Sequence, residues 1–274
     1  MTRLSPPGLA LALTLLPFGA AAAQERDWSK VEMKAVTLAE NLVLIQGAGG
    51  NLALSHGADG AVMVDDQYAP LHDKILFQVR LVTPRAVRFV INTHWHGDHT
   101  GGNEKMGAIG AVVVAHDNVR KRLSVEQFSQ LWDRKTPPSP PAALPIVTFA
   151  DSVTFHVNGE TLRVEHVAPA HTDGDSIVWF EKANVVHMGD VFFHGIYPRI
   201  DLDAGGSLDG VIAATDQVLA RVDEATKIIP GHGELGSKKD LAAYREVLVG
   251  IRAAVQKLID AGKTEEETVA AKPT

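Results

Sequence analysis

Residues 91–103 read INTHWHGDHTGGN and set His94, His96, Asp98 and His99 into one short stretch. Imidazole nitrogen and carboxylate oxygen both bind zinc at about 2.0–2.2 Å, so H-x-H-x-D-H has the chemistry of a metal site. In an extended or tightly turned segment, a spacing of two aims His94 and His96 at one ion. Asp98 and His99 then fall on the far side of the turn and face a second. A polar loop is the plain alternative. Three later segments carry the same residue types: AHTDGD at 170–175, HMGD at 187–190 and PGHG at 230–233. Taken singly, His171 or His232 reads as a surface or capping residue, and Asp190 as a strand-end carboxylate. Taken together, and each at the expected C-terminal end of a strand, they point to one centre, because a rigid scaffold gathers strand-end loops however far apart they lie in sequence. The chain has no cysteine, so any ligand set must be built from His and carboxylate.

The elements that must position these groups follow from the pattern of apolar runs. Residues 41–67 hold three short runs between Gly-rich turns, which predicts a meander of strands. Residues 71–81 fit a helix, 86–94 a buried strand running into the first motif, 110–116 another strand, and 117–132 a helix. The Pro-rich stretch 135–145 predicts an irregular surface loop. Strands resume over 146–167, where Asn158-Gly159 marks a hairpin, and again over 176–190. Residues 206–222 predict a helix, 226–230 a strand, 237–261 a long helix and 265–274 a frayed tail. Strands in two batches, each followed by helices, suggest two β-layers face to face with helices outside.

The chain has 274 residues, 45% hydrophobic and 22% charged, with a net charge of −7 and no run of Lys and Arg. This is a globular composition, and it lacks the basic stripe of a nucleic-acid surface. Arg3, the apolar stretch at 8–20 and the small residues at 21–23 read as a secretory signal peptide over residues 1–23, too short to span a bilayer. The expectation is a single mature domain over 24–274, periplasmic or secreted. It would be monomeric, without stable membrane association, and would act on a small-molecule substrate.

On these motifs, the sequence from about residue 41 to residue 261 resembles the metallo-β-lactamase superfamily, the dinuclear zinc hydrolases that include glyoxalase II and lactonases. The resemblance implies an α/β fold, the αβ/βα four-layer sandwich, with two Zn2+ per chain. It assigns His94, His96 and His171 to the first zinc, and Asp98, His99 and His232 to the second. Asp190 would bridge the two together with a hydroxide that attacks a carbonyl carbon, and Asp98 would orient that hydroxide as the catalytic carboxylate. Asp65, at the end of a strand, is a candidate support for a ligand's other ring nitrogen. Trp95, His194 and Arg199 are candidate substrate contacts, Arg199 for a carboxylate. His116 ends a strand but has no ligand role in the family pattern.

The reaction implied is opening of a β-lactam. Two features depart from the cysteine-containing β-lactamase subclass and are glyoxalase-like: Asp190 stands where that subclass has cysteine, and His99 follows the motif Asp. The long flap of that subclass is reduced here to GAGGN at 47–51, so weak binding of bulky lactams is expected. A lactonase or thioesterase on the same centre is the alternative. A mononuclear iron dioxygenase or a non-catalytic metal-binding protein is the alternative from another class, and one iron per chain would mark the dioxygenase.

Overall fold

The computed structural model describes residues 26–131 and 133–273, so the expected signal peptide lies outside the described residues. The chain divides into two compact units, Met1–Lys30 and Val31–Thr274. In the first, the described residues form one 3-10 turn, Trp28–Lys30.

The second unit is built on two sheets. The larger one takes β1 (Lys34–Ala39), β2 (Leu42–Gln46), β3 (Leu52–Gly57), β4 (Gly60–Val64), β5 (Val87–Ile91), β6 (Val112–His116) and, after a short hairpin of β7 (Gln127–Ser129) with β8 (Arg134–Thr136), β9 (Val147–Phe149). The smaller takes β10 (Ser152–Val157), β11 (Glu160–His166), β12 (Ser176–Phe180), β13 (Val185–His187) and β14 (Lys227–Ile229). Helices α1 (His72–Val82), α2 (Gly97–Thr100), α3 (Asn103–Ala108) and α4 (Asp117–Leu123) fall in the first half. The second half carries α5 (Leu208–Leu219), α6 (Lys238–Asp260) and α7 (Glu265–Ala270).

Side-chain alternation in the strands builds the layers. Leu162, Val164, Val178, Phe180, Val185 and Ile229 of the smaller sheet meet Leu42, Leu44, Val62, Val64, Ile91 and Val114 of the larger in one core. One residue out of phase, Ile177, Trp179, Val186 and Ile228 face the other way and pack under Val211, Val218, Leu241, Tyr244 and Leu248 of α5 and α6. On the far face of the larger sheet, Met63, Val90 and Val113 are buried as well, and α3 packs on β5 and β6. Helix, sheet, sheet, helix is the four-layer sandwich that the strand batches suggested.

Several expected elements change. Strand β1 precedes the predicted meander as an edge strand that is largely exposed, so it lacks the continuous apolar run that reveals buried strands. The helix expected over 117–132 stops at Leu123. Gln127 ends it: its amide donates to the Arg122 carbonyl that a further helical turn would have used, and accepts from Arg122 Nη1. The chain then forms the β7–β8 hairpin, which takes up residues 135 and 136 of the stretch read as an irregular loop. The expected frayed tail contains α7, held by a capping box in which Thr264 and Glu267 bond each other's backbone N–H. At Asn158-Gly159 both residues have positive φ, 55° and 70°, the backbone of a two-residue hairpin turn.

Candidate metal centre

Parallel pairing sets the site. Strands β13 and β14 run side by side with His187 opposite Ile229, so Asp190 and His232, each three residues further on, leave the sheet at the same level. Strands β4 and β5 pair in parallel with Val64 opposite Ile91, which puts Asp65 beside the loop that begins at Asn92. The backbone N–H of Asp65 donates to the Ile91 carbonyl at 2.8 Å. The loop between β11 and β12 supplies His171.

The ring nitrogens and carboxylates converge in two groups. In the first, His94 Nε2 lies 3.1 Å from His96 Nδ1, and His171 Nε2 lies 2.9 Å from the same atom. Asp190 Oδ2 is 3.8 Å from His94 Nε2 and 3.5 Å from His171 Nε2. In the second, His232 Nε2 lies 3.3 Å from both His99 Nε2 and Asp98 Oδ2. Asp190 Oδ1 lies 3.1 Å from His99 Nε2 and 3.3 Å from His232 Nε2. Asp190 therefore turns one oxygen to each group.

Two observations fit these groups to cations. Four donors at about 2.0–2.1 Å around a tetrahedral ion are roughly 3.3 Å apart, the spacing found here. Asp190 Oδ1 is buried and has no aligned hydrogen-bond donor, although two ring nitrogens stand beside it. Each group offers at least three donors to one ion. There is no slack around the bridge, because a Cβ on Gly231 would overlap Asp190 Oδ1 and one on Gly50 would overlap the His99 ring.

The electrostatics of the two groups differ. Burial, with His99 nearby, holds His94 well below the usual imidazole range. Burial brings His171 down to about 4, against the pull of Asp190. Both present neutral nitrogen lone pairs. In the second group burial is outweighed. Asp190, Asp65 and Asp98 lift His99 well above its usual value, and Asp190 and Asp98 lift His232 to about 9. Burial also opposes ionisation of the acids, yet His99 and His232 hold Asp98 at about 2, and His99 and His94 hold Asp190 well below its usual value. Without a cation, protons on His99 and His232 balance these carboxylates.

Outer contacts fix the rings. Asp65, fully buried, accepts from His99 Nδ1 at 2.7 Å, from Thr93 N at 2.8 Å and from Thr93 Oγ1 at 2.8 Å. Thr93 Oγ1 in turn lies 3.1 Å from His94 Nδ1, so with its proton given to Asp65 it accepts from that ring. His171 Nδ1 donates to the Arg199 carbonyl at 2.8 Å. His96 Nε2 donates to Asp201 Oδ2 at 2.8 Å. Asp201 was not singled out in the sequence. The only trace it leaves there is an acidic residue in a turn-rich loop, which is common on any surface.

The candidate substrate residues fall at the margin. Trp95 packs beneath the centre against Ala115, Val119 and Leu123, with its ring 4.7 Å from that of His96. His194 Nδ1 donates to the Glu234 carbonyl at 2.8 Å, and its Nε2 lies 3.8 Å from Asp240 Oδ1 of α6. The Arg199 side chain is exposed, and its backbone carbonyl is what reaches a cluster residue.

The metallo-β-lactamase superfamily model matches residues 56–232. A metallo-β-lactamase type 2 of Bacteroides fragilis is 21% identical over 58% of this chain and 58% of its own length. A hydroxyacylglutathione hydrolase of Methylococcus capsulatus is 33% identical over 38% of this chain and 33% of its own. The chain thus spans little more than half of the first relative and a third of the second. A solved metallo-β-lactamase of Pontibacter korlensis superposes with a TM-score of 0.65 at 19% identity, over 79% of this chain and 99% of that one, which shows a common fold. The sandwich, the two His and Asp groups at its strand ends and the match over most of the chain place this protein in the metallo-β-lactamase superfamily.

Proposed function

We propose that the chain is a dinuclear zinc hydrolase that opens a carbonyl-containing ring, β-lactamase in type. The observation that carries the reading is the division of Asp190, with Oδ2 toward three imidazoles and Oδ1 toward the second group. His94, His96 and His171 would hold one zinc, Asp98, His99 and His232 the other, and Asp190 both. Two cations so placed supply a water of lowered pKa and a Lewis acid for the carbonyl oxygen.

The chain's own residues do the rest. Asp98 is about a quarter exposed while Asp190 is buried, so Asp98 is the carboxylate at the mouth. There it accepts the proton given up as the nucleophile attacks and passes it to the departing nitrogen, oxygen or sulfur. The buried rings of His94, His99 and His171 exclude bulk water from the floor. No serine or cysteine nucleophile is required. The relative named as a metallo-β-lactamase supports the lactam, and residues 1–23 support export to the periplasm.

A second reading, a thioester or lactone as substrate, is favoured by one specific feature. The donor set is all nitrogen and oxygen with a bridging carboxylate, and one relative is named as a hydroxyacylglutathione hydrolase. The test is to purify the chain from residue 24, count zinc per chain, and assay a chromogenic cephalosporin beside an aliphatic lactone and an acyl-glutathione. Two zinc with lactam turnover is the expected result. Two zinc with turnover of only the lactone or thioester moves the assignment to the second reading. One iron, or two zinc without hydrolysis of any of the three, overturns both.

A further inference from the structure

We infer that the segment 199–206 is a clamp for the first cation group alone, with Asp201 as its positioning residue, so that loss of Asp201 weakens the first ion more than the second, although Asp190 and the 94–99 stretch serve both. This rests on the cation reading of the two groups given above. The argument starts from exposure. The side chains of His94 and His171 are 1% exposed, and packing holds them. That of His96 is 19% exposed, so packing alone leaves it free to rotate outward.

His96 also presents a different atom. It turns Nδ1 to the group where its neighbours turn Nε2, which leaves its Nε2 pointing outward in need of an acceptor. Asp201 Oδ2 is that acceptor. The Asp201 carboxylate is itself fixed, because its Oδ1 accepts from Ala204 N at 3.0 Å.

The segment is laced to the His171 loop along its length. Asp201 N donates to the His171 carbonyl at 2.9 Å, and Asp173 N donates to the Ala204 carbonyl at 2.9 Å. Ser207 N donates to the Ala170 carbonyl at 2.7 Å, and the Arg199 carbonyl takes the His171 Nδ1 proton. One loop thus orients two of the three imidazoles of the first group. The second group is supported elsewhere: Asp65 accepts directly from the His99 ring and reaches the first group only through Thr93 and His94, the Gly50 backbone packs on His99, and the β13–β14 pair carries His232. Outer-shell partners of this kind change metal affinity by about 10–100-fold.

The experiment is a cobalt(II) titration of the metal-free chain from residue 24, read by visible ligand-field bands and by quenching of tryptophan emission. Trp95 stands against His96 and reports the first group, with Trp95→Phe as the control for that signal. Wild type, Asp201→Ala, Asp201→Asn and His232→Ala are compared. In Asp201→Ala the quenching phase should move to about 10–100-fold higher cobalt while the other equivalent moves by less. Asp201→Asn keeps an acceptor oxygen and should recover most of the loss. His232→Ala should show the converse. Superimposed wild-type and Asp201→Ala isotherms, or equal weakening of both equivalents, overturn the inference with the two-cation reading intact. A wild-type chain that binds fewer than two ions overturns that reading, and the inference with it.

Discussion

Asp65 offers the sharpest test of how the centre is supported, because its contribution can be measured with no metal present. It is fully buried and accepts three hydrogen bonds, from the Thr93 backbone N–H, the Thr93 hydroxyl and the His99 ring. Asp65→Ala leaves these donors without a partner. The hydroxyl can turn elsewhere, but the backbone N–H and the ring N–H cannot. A buried donor left unsatisfied costs about 1–3 kcal/mol, so the two together cost about 4 kcal/mol. For a domain of this size that is a fall in Tm of roughly 8–16 °C. The assay is urea unfolding in excess chelator, with the midpoint compared at constant slope. Asp65→Asn should lie between the two, since its carbonyl oxygen still accepts from one donor while its amide faces another. With zinc restored, the gap should widen by a further 1.4–2.7 kcal/mol or so, the equivalent of about 10–100-fold in affinity. A metal-free Asp65→Ala protein within about 0.5 kcal/mol of wild type would refute the reasoning, for it would mean that the network seen around Thr93 and His99 bears no weight.

Other outcomes follow from the same geometry. Asp98→Ala should reduce both zinc content and turnover on whichever substrate the wild type accepts, since Asp98 is ligand and proton carrier at once; an active variant with two zinc would remove it from both roles. Uptake of the second ion should strengthen as pH rises toward about 9, because His232 must give up a proton to bind and its pKa is raised to about 9. Isothermal titration in two buffers of different ionisation enthalpy should count at least one proton released, and a pH-independent affinity between 6.5 and 9 would contradict this. In the metal-free chain the linkage runs the other way. A pKa raised on folding adds stability that is complete below the unfolded value and is lost as pH climbs through the folded one, so the His232 contribution should fade between about 6.5 and 9. Gly231→Ala should lower metal content, as its new Cβ meets Asp190 Oδ1; elemental analysis at full zinc occupancy would show that the backbone yields there.

Much of this centre could be read from the chain because its chemistry is local. The H-x-H-x-D-H motif fixes donor types and near-neighbour spacing, and apolar runs place each motif at a strand end. The strands of the core were legible for the same reason, since burial on both faces leaves a continuous apolar signature. Edge and surface elements were not. Strand β1 is largely exposed, the end of α4 is decided by the Gln127 side chain, and α7 depends on a capping box in a polar tail. Each is set by a few hydrogen bonds that composition does not record.

The sequence by itself determined which residues can bind cations, and the absence of cysteine confined the set to imidazole and carboxylate. Only the tertiary structure decided which oxygen of Asp190 faces which group, that His96 turns Nδ1 inward, and that Asp201 and the Arg199 carbonyl hold the first group from outside. Those choices depend on the parallel register of β13 with β14 and on a loop laid across the His171 segment. Both are long-range contacts, and no local pattern of residue types encodes the orientation of a ring whose partner lies a hundred residues away.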